Sequence, residues 1–412
     1  MTLMGRFVRE NAFGKAAQFT WHHWRRQKVR LSVMLGFGLL ATVADSLAPL
    51  FAGRLVNNLG EFASNAEEAH GAALTNLGII LALGLAMVLS RSVVFTGIVR
   101  FTLRMMPDIV HEAFRKVQHL SSDWHANSFA GSTVRKITRA MWAMDGLNDT
   151  IILALFPKFT LLLSASTILF LQWPVMGLVV GLGSVAYIAL VSAMMMVYIA
   201  PAAQLSNAWD TRVGGVLADS VSCNAVVKSF AGEEREQDYV SRTMSKWRKR
   251  TMRTWLRHNH TFIIQSLAMW AFRGAILGTA LVLAWNGRAN AGDLAFVLTL
   301  FFVVQGYLQD VGQQVRNLQR TVNEMEELID VHSVPLGVAD RPGAGELKVQ
   351  DGEIRFDHVT FQYHGKDTPL YEDFSLTIRA GERVGLVGHS GSGKTTFVKL
   401  IQRLYDINDG AI

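Results

Sequence analysis

At 412 residues the chain is long enough for two or three ordinary domains, but half of its residues are hydrophobic, only 18% are charged, and its net charge is +7. Against about 25% charged residues in a typical soluble domain, this excludes a disordered chain, whose mark is low hydrophobicity with high charge. It also puts a membrane ahead of nucleic acid as the reason for the excess of Lys and Arg, and the single cysteine, Cys223, excludes an intramolecular disulfide framework or a multi-cysteine metal site.

Residues 1–30 form a basic head with Arg6, Arg9, Lys15, Arg25, Arg26, Lys28 and Arg30. Within it, Phe13 to Lys28 sets Phe19, Trp21 and Trp24 among His and Arg. That is the pattern of a helix lying along the cytoplasmic interface or, alternatively, of a solvated basic tail. A membrane span needs about 20 apolar residues, because about 30 Å of hydrocarbon is crossed at 1.5 Å per residue. The first such run, Leu31 to Gly53, carries only Asp45. It is long for a signal sequence and no convincing small-residue cleavage site follows, so no cleaved signal peptide is expected. The second runs from Gly71 to Ser90, with Arg91 after it. Between Lys158 and Asp210 there is no Asp, Glu, Lys or Arg. Gln172-Trp173-Pro174 breaks that stretch near its middle, since proline removes a helical donor and clashes with the preceding turn, which predicts a third and a fourth span. A fifth runs from Thr261 to Trp285, interrupted only by Arg273, and a sixth from Leu294 to Asp310.

Lys and Arg in the connections set the orientation. Val56 to His70, Gln172-Trp173-Pro174 and Asn286 to Gly292 are short and poor in cations. The connections carrying Arg100 to Arg139 and Arg212 to Arg257 are long and basic. Both termini are therefore predicted to be cytoplasmic.

The long inner connections read as helical hairpins. Pro107 to Leu120 and Val134 to Leu147 have apolar residues at helical spacing, and Ser121 to Gly131 supplies the turn between them. The second hairpin is expected to turn at Asn207 to Gly215. Such hairpins suit a coupling role or simply pack on one another. Among the charges within the spans, Asp45 and Arg273 are expected to pair or to line a substrate path, while Arg91 and Lys158 are expected to snorkel from span ends. Met194-Met195-Met196 is expected to pack against lipid or, alternatively, to help form an adaptable apolar cavity, and Cys223 to be a small core or interface residue. The twelve histidines, including His22-His23 and His258/His260, show no metal-binding spacing.

After a helix over Gln313 to Val331, the stretch Ser333 to Gly345 is rich in Pro and Gly and marks a boundary. Beyond it the pattern changes to short runs with strand character: Glu353 to Val359, Phe374 to Ile378 and Arg383 to Val387. Gly388-His389-Ser390-Gly391-Ser392-Gly393-Lys394-Thr395 then fits the phosphate-binding pattern G-x-x-x-x-G-K-[ST] in full. A buried-strand run precedes it, and helical periodicity follows from Thr396 to Leu404. Glycines let the backbone wrap an anion and present N–H groups with a helix N-terminus. Lys394 would reach the β and γ phosphates, and the Thr395 hydroxyl would coordinate Mg²⁺. Upstream, Tyr363 either stacks on an adenine ring or fills a strand position in the core.

On these residues the chain resembles the ATP-binding cassette (ABC) exporters of half-transporter type, over nearly its whole length. Trp124 to Gly131 and Val226 to Glu236 resemble the family's two inner-connection motifs, and Phe361 to Tyr363 its aromatic loop. The resemblance implies an α-helical polytopic membrane domain with six transmembrane helices of exporter type at 31–331. It implies a linker at 332–350 and an incomplete α/β P-loop nucleotide-binding domain at 351–412. It further implies ATP and Mg²⁺ as ligands, with Tyr363 on adenine, Gly388, His389, Ser390, Gly391, Ser392, Gly393, Lys394, Thr395 and Thr396 around the phosphates, and Thr395 on the metal. The implied activity is ATP-driven export of an unidentified substrate, without a nucleic-acid partner. The transporter would be a dimer with a second half-transporter, a homodimer before a heterodimer, in a lipid bilayer such as a bacterial inner membrane. The alternatives are a truncated non-transporting or regulatory subunit, or an ATP-gated channel. The family's glutamine loop, signature motif, Walker B glutamate and switch histidine would all follow Ile412, so no catalytic residue is expected within 1–412. The 412-residue polypeptide on its own is thus expected to have negligible ATPase activity, to be checked by phosphate release against a Lys394→Ala control.

Overall fold

The computed structural model describes residues 3–60, 66–128, 130–340, 343–349, 351–363 and 365–412. Glu61 to Asn65 of the first outer connection, Phe129 of the first inner turn, Arg341-Pro342 of the boundary and His364 of the aromatic loop lie outside these, as do the side chains of Arg6 and Arg9. In chain order the helices are α1 (Leu3–Arg26), α2 (Lys28–Gly60), α3 (Ala66–Gln118), α4 (Ser122–Asn127), α5 (Ala130–Asn148), α6 (Phe156–Gln172), α7 (Pro174–Ala193), α8 (Ala200–Ser222), α9 (Asn224–Ser229), α10 (Glu233–Trp285), α11 (Ala291–Leu308) and α12 (Val311–Ser333). Single π-helical segments, Asp149–Leu155 and Met194–Ile199, join α5 to α6 and α7 to α8. Six helical stretches among the described residues are long and apolar enough to cross a membrane: Lys28–Gly60, Glu67–Gln118, Gly131–Gln172, Pro174–Ser222, Glu233–Trp285 and Ala291–Ser333.

Residues 27–101 and 146–319 make one compact unit. Its centre is a cluster in which Leu161, Leu169, Met176, Val180, Phe272, Ile276, Phe296 and Phe301 are buried together. The expected short turn is present: Trp173 is extended (φ −140°, ψ 101°), Pro174 opens α7, and the Trp173 indole donates to the Arg288 carbonyl at 2.9 Å. Asn290 and Asp293 cap α11 reciprocally. Helices α2 and α11 cross at Gly53 and Gly292, where small residues let backbones approach. The Gly292 amide donates to Asn57 Oδ1 at 2.7 Å, and a Cβ on Gly292 would lie 2.2 Å from the Gly53 carbonyl oxygen. Gly292→Ala is expected to cost about 1–3 kcal/mol by forcing the helices apart, read as a lower unfolding temperature of the purified protein.

Two expectations are corrected in this unit. Asn207 to Gly215 is not a turn: α8 runs through it to Ser222, and the chain reverses at Cys223 and again at Phe230 to Gly232, on either side of α9. The helix survives its Gly214-Gly215 pair because α8 packs along α10. Ser206 and Thr251 hydroxyls bond at 2.8 Å, Trp247 donates to Asp210 at 3.1 Å, and Arg250 lies 4.3 Å from the Trp209 ring centroid. Cys223 is exposed, not a core residue, because it ends α8 at that reversal. Of the three consecutive methionines, Met195 is buried and Met196 faces outward.

The other unit comprises residues 1–26, 102–145 and 320–412. Here α1 packs with Ala16, Thr20 and His23 buried and Trp21 exposed. The His23 ring is 1% exposed; its Nδ1 pairs with the Phe19 carbonyl, and its Nε2 lies 3.5 Å from a Glu112 carboxylate oxygen on α3. Arg26 and His22 on α1, Lys116 on α3 and His332 on α12 complete the charged surroundings of the His23–His332 pair. Burial holds the His23 pKa below its ordinary value of about 6.5 despite Glu112. The free ring then takes up a proton at a higher pH than the docked ring. The contribution of His23 to α1 docking is complete above the ordinary value and falls as pH drops below it toward the depressed one. Hydrogen exchange of residues 13–26, corrected for intrinsic rates, is expected to rise severalfold between pH 7.5 and 5.5 and to lose that dependence in His23→Phe.

The C-terminal part of this unit contains β1 (Ile354–Phe361), β2 (Tyr371–Ile378), α13 (Lys394–Ile401) and β3 (Asp409–Ala411). The sheet order is β2–β1–β3, both pairings antiparallel, with Ile354 opposite Ile378 and Phe356 opposite Leu376. One face carries Phe356, Val359 and Phe361, on which α13 lays Phe397 and Leu400; the Phe356 and Phe397 rings stack at 4.7 Å. The predicted strand Arg383 to Val387 is not paired in this sheet, and Val387 is 93% exposed. An apolar run of that kind is stabilised only between sheet neighbours, and none of the described residues pairs with it.

Candidate functional site

The glycine-rich loop sits where β2 and the N-terminus of α13 converge. Gly393, immediately before α13, is left-handed at φ +93°, and a Cβ there would lie 2.8 Å from the Tyr371 hydroxyl oxygen. Only glycine satisfies both demands. Tyr371 donates to the Gly393 carbonyl at 3.0 Å, and burial pushes its phenol up, keeping it a donor. The loop closes around Lys394, whose ammonium donates to the Gly388 and His389 carbonyls, each at 2.8 Å, and to Ser392 Oγ at 3.3 Å.

Beside this loop is a cavity of about 650 Å³, lined by Tyr363, Lys366, Thr368, Pro369, Leu370, Ser390, Gly391, Gly393, Lys394, Thr395 and Thr396. That is a size suited to a small organic ligand. Of the sequence-predicted residues, Tyr363, Ser390, Gly391, Gly393, Lys394, Thr395 and Thr396 are thus brought together. Gly388, His389 and Ser392 stand behind them, holding the lysine. Tyr363 bonds to the buried Thr396 hydroxyl at 2.8 Å and meets Phe361 and Tyr405 edge-on at 4.9 and 5.3 Å. It therefore belongs both to the small core and to the cavity wall. Lys366, Thr368, Leu370 and Tyr371 were missed by sequence reasoning. Their places depend on the β1–β2 reversal, which no local pattern announces. Three glycines, a half-buried lysine, an open helix N-terminus and the exposed Thr395 bring backbone N–H groups, one cation and one hydroxyl to the same place, a donor set suited to an anion. Among the described residues, no cluster of His, Cys, Asp or Glu competes for a metal.

A second cavity, of about 580 Å³, lies in the membrane-helix unit between α2, α3, α6 and α11. Asp45 and Arg273 do not pair. The Asp45 carboxylate accepts from Arg91 at 3.3 Å and from Tyr307 at 2.9 Å, and Arg91 also donates to the Tyr307 hydroxyl at 2.8 Å. Lys158 pairs with Asp310 at 3.0 Å, where α11 gives way to α12. Arg91 and Lys158 are therefore cavity-lining partners of carboxylates and not snorkelling end residues. The expectation failed for Arg91 because α3 continues as one 53-residue helix, which keeps Arg91 well inside it. Arg273 lies instead among aromatic rings, its guanidinium 5.5 Å from Trp270, 5.9 Å from Phe301 and 4.9 Å from Phe302.

The first inner turn is a short helix, α4, whose N-cap Ser121 accepts from the Trp124 amide at 3.3 Å, with His125 bonded back to the Val117 carbonyl at 3.0 Å. Its counterpart in the second hairpin is α9, with Phe230 75% exposed at its end.

Comparison with known proteins agrees with this geometry. The family model described as the ABC transporter transmembrane region matches residues 31–308, and that of the ABC transporter matches residues 371–412. Among curated relatives, the mitochondrial iron-sulfur clusters transporter atm1 of Aspergillus fumigatus is 25% identical over 93% of this chain and 53% of its own length. That of Chaetomium globosum is 27% identical over 93% of this chain and 64% of its own. The chain thus spans about half to two thirds of the length of these relatives. A solved bacterial Atm1-family ABC exporter with ATP bound shares the fold, with a TM-score of 0.75 at 22% identity over 94% of this chain and 67% of that one. Since the transmembrane-region match alone takes in well over half of the residues, this chain belongs to the ABC transporter family.

Proposed function

We propose that the chain is the membrane-domain and P-loop portion of a half-transporter that exports a substrate at the expense of ATP. The observation that carries this reading is the fusion, in one polypeptide, of the six-helix exporter fold to a glycine cradle closed on Lys394. The half would work with a second half, most simply another copy of itself. Its basic inner connections would face the cytoplasm of a bacterial cell, a placement supported by the distribution of Lys and Arg.

Within the cradle, Lys394 would exchange the Gly388 and His389 carbonyls for phosphate oxygens, and Tyr363 would present its ring to the adenine. The Thr395 hydroxyl would hold Mg²⁺, which supplies charge neutralisation between the phosphates. Ligand binding of this kind shifts a population between membrane-domain states only if it favours one of them. In this reading α4 and α9 would transmit that preference. ATP-dependent uptake into inverted vesicles by the full-length transporter, lost in Lys394→Ala, is the expected result. ATP-independent flux down a gradient would instead identify a channel. Cysteines at Asp123 and Val226 should crosslink to the nucleotide domains in a nucleotide-sensitive way, and insensitivity at both positions would remove the coupling role from these helices.

A further inference from the structure

Arg273 is a cation set within an otherwise uncharged span, and among the described residues no carboxylate lies within ion-pair distance of it. The carboxylates of the surrounding spans are occupied: Asp45 by Arg91 and Tyr307, Asp310 by Lys158, and Asp293 by the cap of α11. Twelve residues separate Arg273 from the outer end of α10, about 18 Å at 1.5 Å per residue, which is deeper than a resident lipid headgroup. An ionised side chain at such a depth is costly and marks a ligand path by default. What surrounds it here is aromatic: Trp270, Phe301 and Phe302 present their rings to the guanidinium. Phe302 also forms part of the wall of the 580 Å³ cavity, whose two carboxylates and two cations neutralise one another. The flank of the cavity at Phe302 therefore offers an aromatic surface with one uncompensated positive charge.

We propose that Arg273 is a specificity-determining residue for an organic anion with an apolar or aromatic body, its acidic group pairing with the guanidinium and its body lying against Trp270 and Phe302. This rests on the export reading above and names the substrate class for it. Arg is suited to the task because its planar donors engage carboxylate, sulfonate or phosphate oxygens pairwise while its faces stay on the rings.

The test uses two probes of one shape and fixed opposite charge, 2-naphthalenesulfonate and trimethyl-2-naphthylammonium, titrated against the transporter in phosphatidylcholine nanodiscs. The sulfonate is expected to bind at least tenfold more tightly than the ammonium. Arg273→Gln should bring the two affinities within twofold of each other, Arg273→Lys should retain part of the preference, and Arg273→Glu should reverse it. Comparable melting temperatures of the Lys and Gln variants separate loss of charge from loss of fold. Equal binding of the two probes by the wild type, no sulfonate binding at millimolar concentration, or an unchanged preference in Arg273→Gln would overturn the assignment. Binding needs no nucleotide, so the two readings fail separately. A sulfonate preference without any ATP-dependent uptake removes the pump and keeps the anion site, whereas ATP-dependent uptake indifferent to charge does the opposite.

Discussion

Replacing Lys394 by alanine is expected to weaken ATP binding by about 100-fold, or roughly 3 kcal/mol. A hydrogen bond to a charged group contributes about 1.5–3 kcal/mol net, and the ammonium can direct more than one to a polyphosphate. Part of that gain is offset, because Lys394 first gives up the Gly388 and His389 carbonyls and Ser392 Oγ. Those same bonds show why the position tolerates little change: the lysine reaches inward over a loop pinned at the left-handed Gly393, where a Cβ would meet the Tyr371 hydroxyl. Arginine carries the same charge as a wider planar fork, so Lys394→Arg should recover no more than a small part of the affinity. Fluorescent-nucleotide titration of the purified protein gives the answer. Affinity within threefold of the wild type in Lys394→Ala would place the nucleotide elsewhere.

The glycine-rich loop and its helix were legible in the sequence because their residues are contiguous. Eight adjacent residues carry the turn, the cation and the hydroxyl, and the helix that begins at Lys394 follows directly. The six spans were legible for a similar reason, since a bilayer demands long uncharged runs and Pro174 punctuates the longest of them. Legibility ended where partners decide. Gly214-Gly215 resembles a break, yet two glycines cost a helix only about 2 kcal/mol relative to alanine, and α8, packed along α10, continues through them. Arg383 to Val387 has strand composition, but composition makes a strand only when neighbours supply hydrogen bonds. Tyr371 underlies the loop from 22 residues away, across a strand reversal that local patterns do not foretell. The intramembrane charges were the most opaque. Each was visible, but Asp45 lies 46 residues from Arg91 and 262 from Tyr307. Only packing of α2, α3 and α11 brings them together.

That trio supports the second large effect, an expected loss of about 3 kcal/mol of stability in Arg91→Ala. Asp45, only 22% exposed, would keep one partner, the Tyr307 hydroxyl, while losing the cation that compensates it. An uncompensated carboxylate within a span costs about 2.5–3.5 kcal/mol, and removing one side of a partly buried pair costs more than the pair itself contributes. The sign of the companion variant follows from the same reasoning. Asp45→Asn removes the negative charge and preserves an acceptor for Tyr307, so adding it to Arg91→Ala should restore most of the lost stability. A coupling of about 2 kcal/mol is expected between the two sites in a double-mutant cycle, measured as chemical unfolding of the protein in detergent micelles. Tyr307→Phe should cost less than Arg91→Ala, because the direct Arg91–Asp45 contact at 3.3 Å remains. If Arg91→Ala and Asp45→Asn were simply additive, the contact would be incidental, and the wall of the cavity would owe its form to packing alone.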